Sequence, residues 1–374
     1  MTAAGAPLSS TVGRILRSAL RRLWPLLLAV PLAACGASAP AGRQAVELHS
    51  RTMGFIDQVR RPPGGQAQEV KGSLMLPEHR SGRLPAMVML HGGTGQGTQD
   101  WYYARLFNDW GIAVLAVDSF GERGVKDTIF DQSAVSEASI MADAYAALNY
   151  LSRRPDIDPS RIGIVGFSKG AAPALLAALE RFRKPLARDG NRFALHVAFY
   201  PWCGFSFLNE TTTGAPILIL SGGQDRVTPA RLCAGLADRL RRDNPGLRLE
   251  MDVYPAGGHA FDYPHPMFHL LGSLPVRGNI PSRCFFAETA PGDFTERSSG
   301  LEVTSANVHY ALGMCSAPDP EARAIYDPDG ARDAVARLHA LVGTVLLGVR
   351  QPGSTLGASE DDPANRPDQT GNGE

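Results

Sequence analysis

From Arg161 the chain reads Ile162-Gly163-Ile164-Val165-Gly166-Phe167-Ser168-Lys169-Gly170, followed by the small-residue run Ala171-Ala172-Pro173-Ala174-Leu175. Ile162 to Val165 has the continuous apolar character of a strand buried on both faces, and Ala171 to Leu179 reads as a helix. A Gly-x-Ser-x-Gly pattern set between such a strand and such a helix is that of a nucleophile elbow. There the chain turns so sharply that the serine is held in a strained backbone conformation. The flanking positions favour glycine, since a Cβ would strike the adjoining strand and helix. Backbone N–H groups and the positive end of the helix dipole then lie where an oxyanion can be stabilised. The plain alternative is an ordinary glycine-containing turn with an incidental serine.

The rest of the chain repeats this strand-and-helix rhythm. Pro85 to Leu90, Ile112 to Val117, Phe193 to Phe199, Pro216 to Leu220 and Leu247 to Tyr254 read as strands. Asp100 to Trp110, Ser136 to Arg153, Pro229 to Arg241 and Asp329 to Leu347 read as helices. Such alternation implies an α/β fold, with a mostly parallel central sheet covered by helices on both faces. Val46 to Leu76, with a strand at Val70 to Leu76 and a turn at Pro62-Pro63-Gly64-Gly65, reads as an antiparallel edge. From about residue 262 to 327 the rhythm breaks in a segment rich in Pro, Gly and aromatics, which reads as an insertion in a domain spanning 46–350.

A serine hydroxyl near neutral pH is a weak nucleophile and needs a base, which in turn needs a carboxylate to orient it. Ser168, Asp225 and His259 occur in the chain order of an α/β-hydrolase triad, and each follows a predicted strand. All three are therefore expected at the C-terminal edge of one parallel sheet, where ligands of such sheets bind. Taken singly, Asp225 would serve as a turn or cap residue before the Pro229 helix, and His259 as a loop histidine. Order and placement together favour the triad. His91-Gly92-Gly93 follows the Pro85 strand, so the N–H groups of Gly93 and Lys169 are the expected oxyanion-hole donors. His91 is expected to brace that loop.

With these residues in place, the chain from about Val70 to Leu347 resembles the dienelactone hydrolase family of α/β-hydrolases. The likeness is carried by His91-Gly92-Gly93, Asp118-Ser119-Phe120, Gly166-Phe167-Ser168-Lys169-Gly170, Gln224-Asp225 and Gly258-His259-Ala260-Phe261. The resemblance implies Ser168 as nucleophile, His259 as general base and then acid, and Asp225 as its orienter. The family's namesake enzymes carry cysteine in the elbow and hold a substrate carboxylate with loop arginines. Here the elbow residue is Ser168, Arg123 is the one candidate for such a substrate contact, and Ala260-Phe261-Asp262-Tyr263 offers no second arginine. The expected activity is thus cleavage of a small carboxylic ester through an acyl-enzyme, without cofactor or metal. A peptidase or amidase on the same fold and a catalytically retired binding module are the alternatives.

The first 35 residues are read as a targeting segment. Arg14, Arg17, Arg21 and Arg22 precede the apolar run Leu23 to Pro31, which is too short and too proline-rich to span a bilayer as a helix. The run leads into Leu32-Ala33-Ala34-Cys35, which resembles a bacterial lipobox, with Cys35 as the lipid-bearing residue. An ordinary signal peptide cut elsewhere is the alternative. Residues 36–45 read as a tether and 351–374 as a disordered tail. The protein is thus expected to be exported and held in the cell envelope through lipid at Cys35.

Lys+Arg 37 against Asp+Glu 37 gives no basic excess, which speaks against a nucleic-acid partner. Beyond Cys35 the cysteines are Cys203, Cys233, Cys284 and Cys315, with no Cys-x-x-Cys metal spacing. Four cysteines allow three pairings, with four unpaired thiols as the alternative. Strand order favours Cys203–Cys233 beside the triad and Cys284–Cys315 stapling the insertion as a lid.

Overall fold

A computed structural model describes residues 42–60, 64–79 and 81–349. The targeting segment with Cys35, most of the tether and the tail read at 351–374 lie outside the described residues, as do Pro62 and Pro63. In chain order the first elements are β1 (Gln44–Thr52), α1 (Phe55–Arg60), β2 (Gln66–Met75), β3 (Leu84–Leu90), α2 (Thr98–Asp109) and β4 (Ala113–Asp118). Then come α3 (Glu137–Leu151), β5 (Ile157–Phe167), α4 (Ala171–Leu176), α5 (Glu180–Leu186), β6 (Leu195–Phe199), β7 (Phe205–Ser206) and β8 (Ile217–Gly222). Next are α6 (Ala230–Asp243), β9 (Leu249–Tyr254), α7 (Pro266–Leu271), β10 (Ser273–Pro275), β11 (Phe286–Ala290) and β12 (Asp293–Glu296). The last are β13 (Glu302–Val303), α8 (Val308–Cys315), β14 (Arg323–Ile325) and α9 (Pro328–Val345).

Eight strands form the central sheet in the order β1-β2-β4-β3-β5-β6-β8-β9. β1 and β2 run antiparallel and β2 meets β4 antiparallel; from β4 to β9 every pairing is parallel. β3 is buried at all its positions, as its unbroken apolar run requires of a strand with helices on either side. Side chains alternate between the faces. Ala86, Val88 and Leu90 of β3 join a core with α3, α4 and α6, while Met87 and Met89 join one with α2 and α9. The fold is therefore α/β, with the sheet sandwiched between two helical layers.

Two segments depart from the periodicity. The helix expected over Ala171 to Leu179 stops at Leu176, because the backbone beyond it finds other partners. Thr213 N–H donates to Ala178 O at 2.8 Å and Glu180 N–H to Thr211 O at 2.9 Å, after which α5 starts. The stretch from 262 to 327 holds regular structure that its composition conceals. β10 pairs with β14, and β13-β12-β11 form a small sheet completed by β7 from the loop after β6. Two disulfides are present, Cys203–Cys233 and Cys284–Cys315. The first joins the end of the β6 region to α6, and the second closes the segment that carries β11 to α8.

Candidate active site

Because β3, β5, β6, β8 and β9 are parallel, the loops after them open at one edge of the sheet. Those loops deliver His91 to Gly93, Ser168, Tyr200, Asp225 and His259 to a common place. At the end of β5 the chain enters a single 3-10 turn, Ser168–Gly170, before α4. Ser168 has φ 49°, a left-handed conformation that costs a non-glycine residue on the order of 1–3 kcal/mol. The glycines on either side make the turn feasible. A Cβ on Gly166 would lie 2.1 Å from Gly170 O, and one on Gly170 would lie 2.5 Å from His91 O. Tyr200 and Ala260, with φ 41° and 53°, share the left-handed region at the same sheet edge.

The hydroxyl of Ser168 lies 2.9 Å from His259 Nε2, and His259 Nδ1 lies 2.9 Å from Asp225 Oδ2. Asp225 has no exposed side-chain surface. Its Oδ1 accepts from the N–H groups of Val227 and Thr228, and its Oδ2 also accepts from Thr228 Oγ1 at 2.8 Å. With its lone pairs so occupied the carboxylate is fixed, and Nδ1 of His259 is the donor to it. That tautomer leaves the Nε2 lone pair facing the serine hydroxyl, which is the state a general base requires. The His259 loop is itself held, since Gly258 N–H donates to Ile325 O and His259 N–H to Arg323 O on β14. Behind it the Tyr200 ring packs edge-on at 5.0 Å between centroids.

On the other side of Ser168 stands the loop after β3. His91 is buried; its Nε2 accepts from Ser119 N–H at 3.2 Å, so Nδ1 donates to Gly92 O at 2.8 Å. This bracing, with Phe120 edge-on to the imidazole, sets Gly92 and Gly93 beside the elbow. Gly93, Lys169, Ser168 and His259 line one cleft. Among the described residues no three His, Cys, Asp or Glu side chains converge as metal ligands.

A family model of the dienelactone hydrolase family matches residues 70–270, more than half of the chain. The chain belongs to the dienelactone hydrolase family. Among its relatives is an uncharacterized protein of Mycobacterium tuberculosis, 30% identical over an alignment of 176 residues that covers 43% of this chain and only 59% of the relative's length. A probable 2-oxo-3-(5-oxofuran-2-ylidene)propanoate lactonase of Bradyrhizobium is 26% identical over 197 residues, 48% of this chain and 75% of that protein. Among solved structures, a dienelactone hydrolase-like promiscuous phosphotriesterase from metagenomic libraries is 18% identical, with TM-score 0.48 over 81% of this chain and 98% of its own.

One residue singled out in the sequence lies elsewhere in this dienelactone hydrolase family member. Arg123 lines neither cavity that meets Ser168. Its guanidinium is buried against the fully buried carboxylate of Asp143, with bonds of 2.8 and 2.9 Å. The remaining N–H groups go to Thr52 Oγ1, Ser119 O and Arg51 O. All five donors are thereby used, so Arg123 ties β1 and the loop after β4 to α3 instead of meeting substrate.

Several residues escaped the sequence reading. The Lys169 side chain is buried and paired with Glu137 at 2.7 Å, fastening the start of α3 to the elbow. Asp262, also buried, accepts from Tyr103 OH at 2.6 Å and from Gln99, and burial pushes its carboxyl above the usual range. Thr228 alone had a local signal, as the residue three past Asp225 in a helix-capping pattern.

Proposed function

We propose that the protein is a serine hydrolase that cleaves carboxylic esters through an acyl-enzyme. The observation that carries this reading is the continuous relay from Asp225 through His259 to a Ser168 held at φ 49°, with 2.9 Å at each link. Membership of a hydrolase family agrees with it. In the first half-reaction His259 Nε2 takes the proton of Ser168 Oγ as that oxygen bonds to the ester carbonyl carbon. The carbonyl oxygen gains the negative charge, which the N–H groups of Gly93 and Lys169 stabilise. Collapse breaks the bond to the alcohol oxygen, which leaves with the proton from His259. Water then repeats the sequence, giving the carboxylic acid and free Ser168. Asp225 holds the ring and stabilises the imidazolium at each stage.

The test is labelling by a fluorophosphonate probe together with turnover of p-nitrophenyl esters. Ser168→Ala should abolish labelling, and Ser168→Ala or His259→Ala should lower turnover by roughly 10⁴ to 10⁶. A folded protein that is never labelled is a binding module and ends this reading; faster cleavage of peptide amides than of esters replaces it with a peptidase.

We further propose that the protein is exported and anchored through lipid at Cys35. The two disulfides support export, since such bonds persist in oxidising compartments. No helix among the described residues is long and apolar enough to cross a membrane. Cys35→Ser should move the protein out of the membrane fraction, and unchanged fractionation would refute the anchor.

A further inference from the structure

Ser168 stands at the junction of two cavities of different character. The outer cleft, about 330 Å³, contains His259, Gly92, Gly93 and Tyr200 and opens past Leu274 and Arg277. The inner one, about 90 Å³, runs behind the elbow between Ala172, Leu176, Phe55, Trp202, Phe286 and Leu312. Of the triad, the outer cleft holds Ser168 and His259, whereas the inner one holds Ser168 alone.

We propose that the inner cavity is the acyl pocket of this enzyme and selects esters of short, apolar acids of about four carbons. This deepens the serine-esterase reading above and rests on it. The division of the substrate follows from proton transfer. The alcohol oxygen must receive its proton from His259 Nε2, so the alcohol half lies in the cavity that contains His259. The acyl half then points the other way from the same carbonyl carbon, into the inner cavity. No further chemistry is required: the Ser168–acyl bond forms as the bond to the alcohol breaks, and water later releases the acid.

The walls define the class of acid. They are apolar side chains brought from α1, α4, the loop after β6, Val227 in the loop after β8, Pro281, and the segment closed by Cys284–Cys315. Apart from Gln132, the polar side chains that belong to the inner wall are occupied. Lys169 and Glu137 bond each other, Thr228 bonds Asp225 and Tyr200 O, and Trp202 Nε1 donates to Pro281 O. Gln132 stands at the boundary with the outer cleft. A charged or hydroxylated acyl group would lose water there without compensation, so an apolar chain is preferred.

Size sets the length. A cavity of roughly 150 Å³ accepts benzene, so one of about 90 Å³ suits a group of about four carbons. Four of the wall residues, Phe286, Val303, Val308 and Leu312, lie between the two cysteines of the second disulfide. The segment that the sequence marks as an insertion therefore supplies the stop that limits chain length.

The experiment is a kcat/KM series over p-nitrophenyl acetate, butyrate, hexanoate, octanoate and decanoate, with fluorophosphonate labelling of Ser168 as the measure of intact sites. The maximum should fall at butyrate, with octanoate at least about tenfold lower. Leu312→Ala, or Val308→Ala as the milder variant, should move the maximum to hexanoate or longer. Ala172→Leu should move it to acetate. A wild-type profile that is flat or rises to decanoate overturns the proposal while leaving the esterase reading intact. So does a butyrate maximum unmoved in both kinds of variant when their sites label normally. Absence of any Ser168-dependent ester turnover overturns the esterase reading itself, and the pocket assignment falls with it.

Discussion

Arg123 offers a sharp test of how this site is supported. In Arg123→Ala the carboxylate of Asp143, with no exposed side-chain surface, loses both of its guanidinium bonds and keeps only the hydroxyl of Ser50. Breaking a buried pair from one side leaves an uncompensated charge and costs about 3–5 kcal/mol. That is a large fraction of the roughly 5–15 kcal/mol that holds a typical domain folded. With a guanidinium m-value on the order of 5 kcal/mol/M for a domain of this size, the unfolding midpoint should fall by about 0.6–1 M. Arg123→Lys should lose less, since it keeps the charge but not the five-donor fork. Replacing both partners, as Arg123→Met with Asp143→Leu, should be less damaging than Arg123→Ala alone. The assay is chemical unfolding followed by circular dichroism, paired with butyrate-ester kinetics on the folded protein. KM should stay within about twofold, because no substrate contact is lost. An unchanged midpoint with KM raised tenfold or more would refute the structural role and return Arg123 to the substrate.

The same packing fixes three further outcomes. Gly166→Ala places a Cβ 2.1 Å from Gly170 O, a backbone atom that cannot give way while the elbow is intact. It should abolish fluorophosphonate labelling, and normal labelling would show that the turn relaxes freely. Replacing Cys284 and Cys315 by serine opens a loop with sequence separation 31. On the loop-entropy model it costs roughly 3.7 kcal/mol, which limited proteolysis between 285 and 314 should reveal; protection equal to wild type would refute it. His196 is fully buried with Nδ1 donating to Ala174 O, and burial lowers its pKa to about 4. The unfolded state then takes up the proton first, so stability is complete above pH ~6.5 and is lost as pH falls toward ~4. At pH 5 the loss is about 2 kcal/mol, and His196→Leu should remove that slope; an identical slope in the variant would refute the assignment.

Much of the fold was legible because it is written in local periodicity. A continuous apolar run such as Pro85 to Leu90 reads as a doubly covered strand, and the alternation of such runs with helices leaves a parallel sheet as the ordinary solution. Once the strands are parallel, residues that follow them must gather at one edge, so the order Ser168, Asp225, His259 already placed three side chains near one another. The same strand order brought Cys203 toward Cys233, and the structure pairs them. Local signals also misled where tertiary partners intervened. The helix expected to reach Leu179 ends at Leu176 because residues 211–213 take its carbonyls and amides, and the composition of 262–327 hid short strands, of which β10 pairs with the distant β14 and β11 with the distant β7. Arg123 looked like a free loop cation, since Asp143 lies 20 residues on and Arg51 lies 72 residues back. The inner cavity had no sequence signature at all. Its walls come from stretches far apart in sequence, whose side chains acquire a shared surface only when the sheet, α1 and the disulfide-closed segment pack together. Periodicity specifies which face of each element is apolar, but the size of a gap between faces is set by how closely they pack, and that distance is a property of the assembled chain.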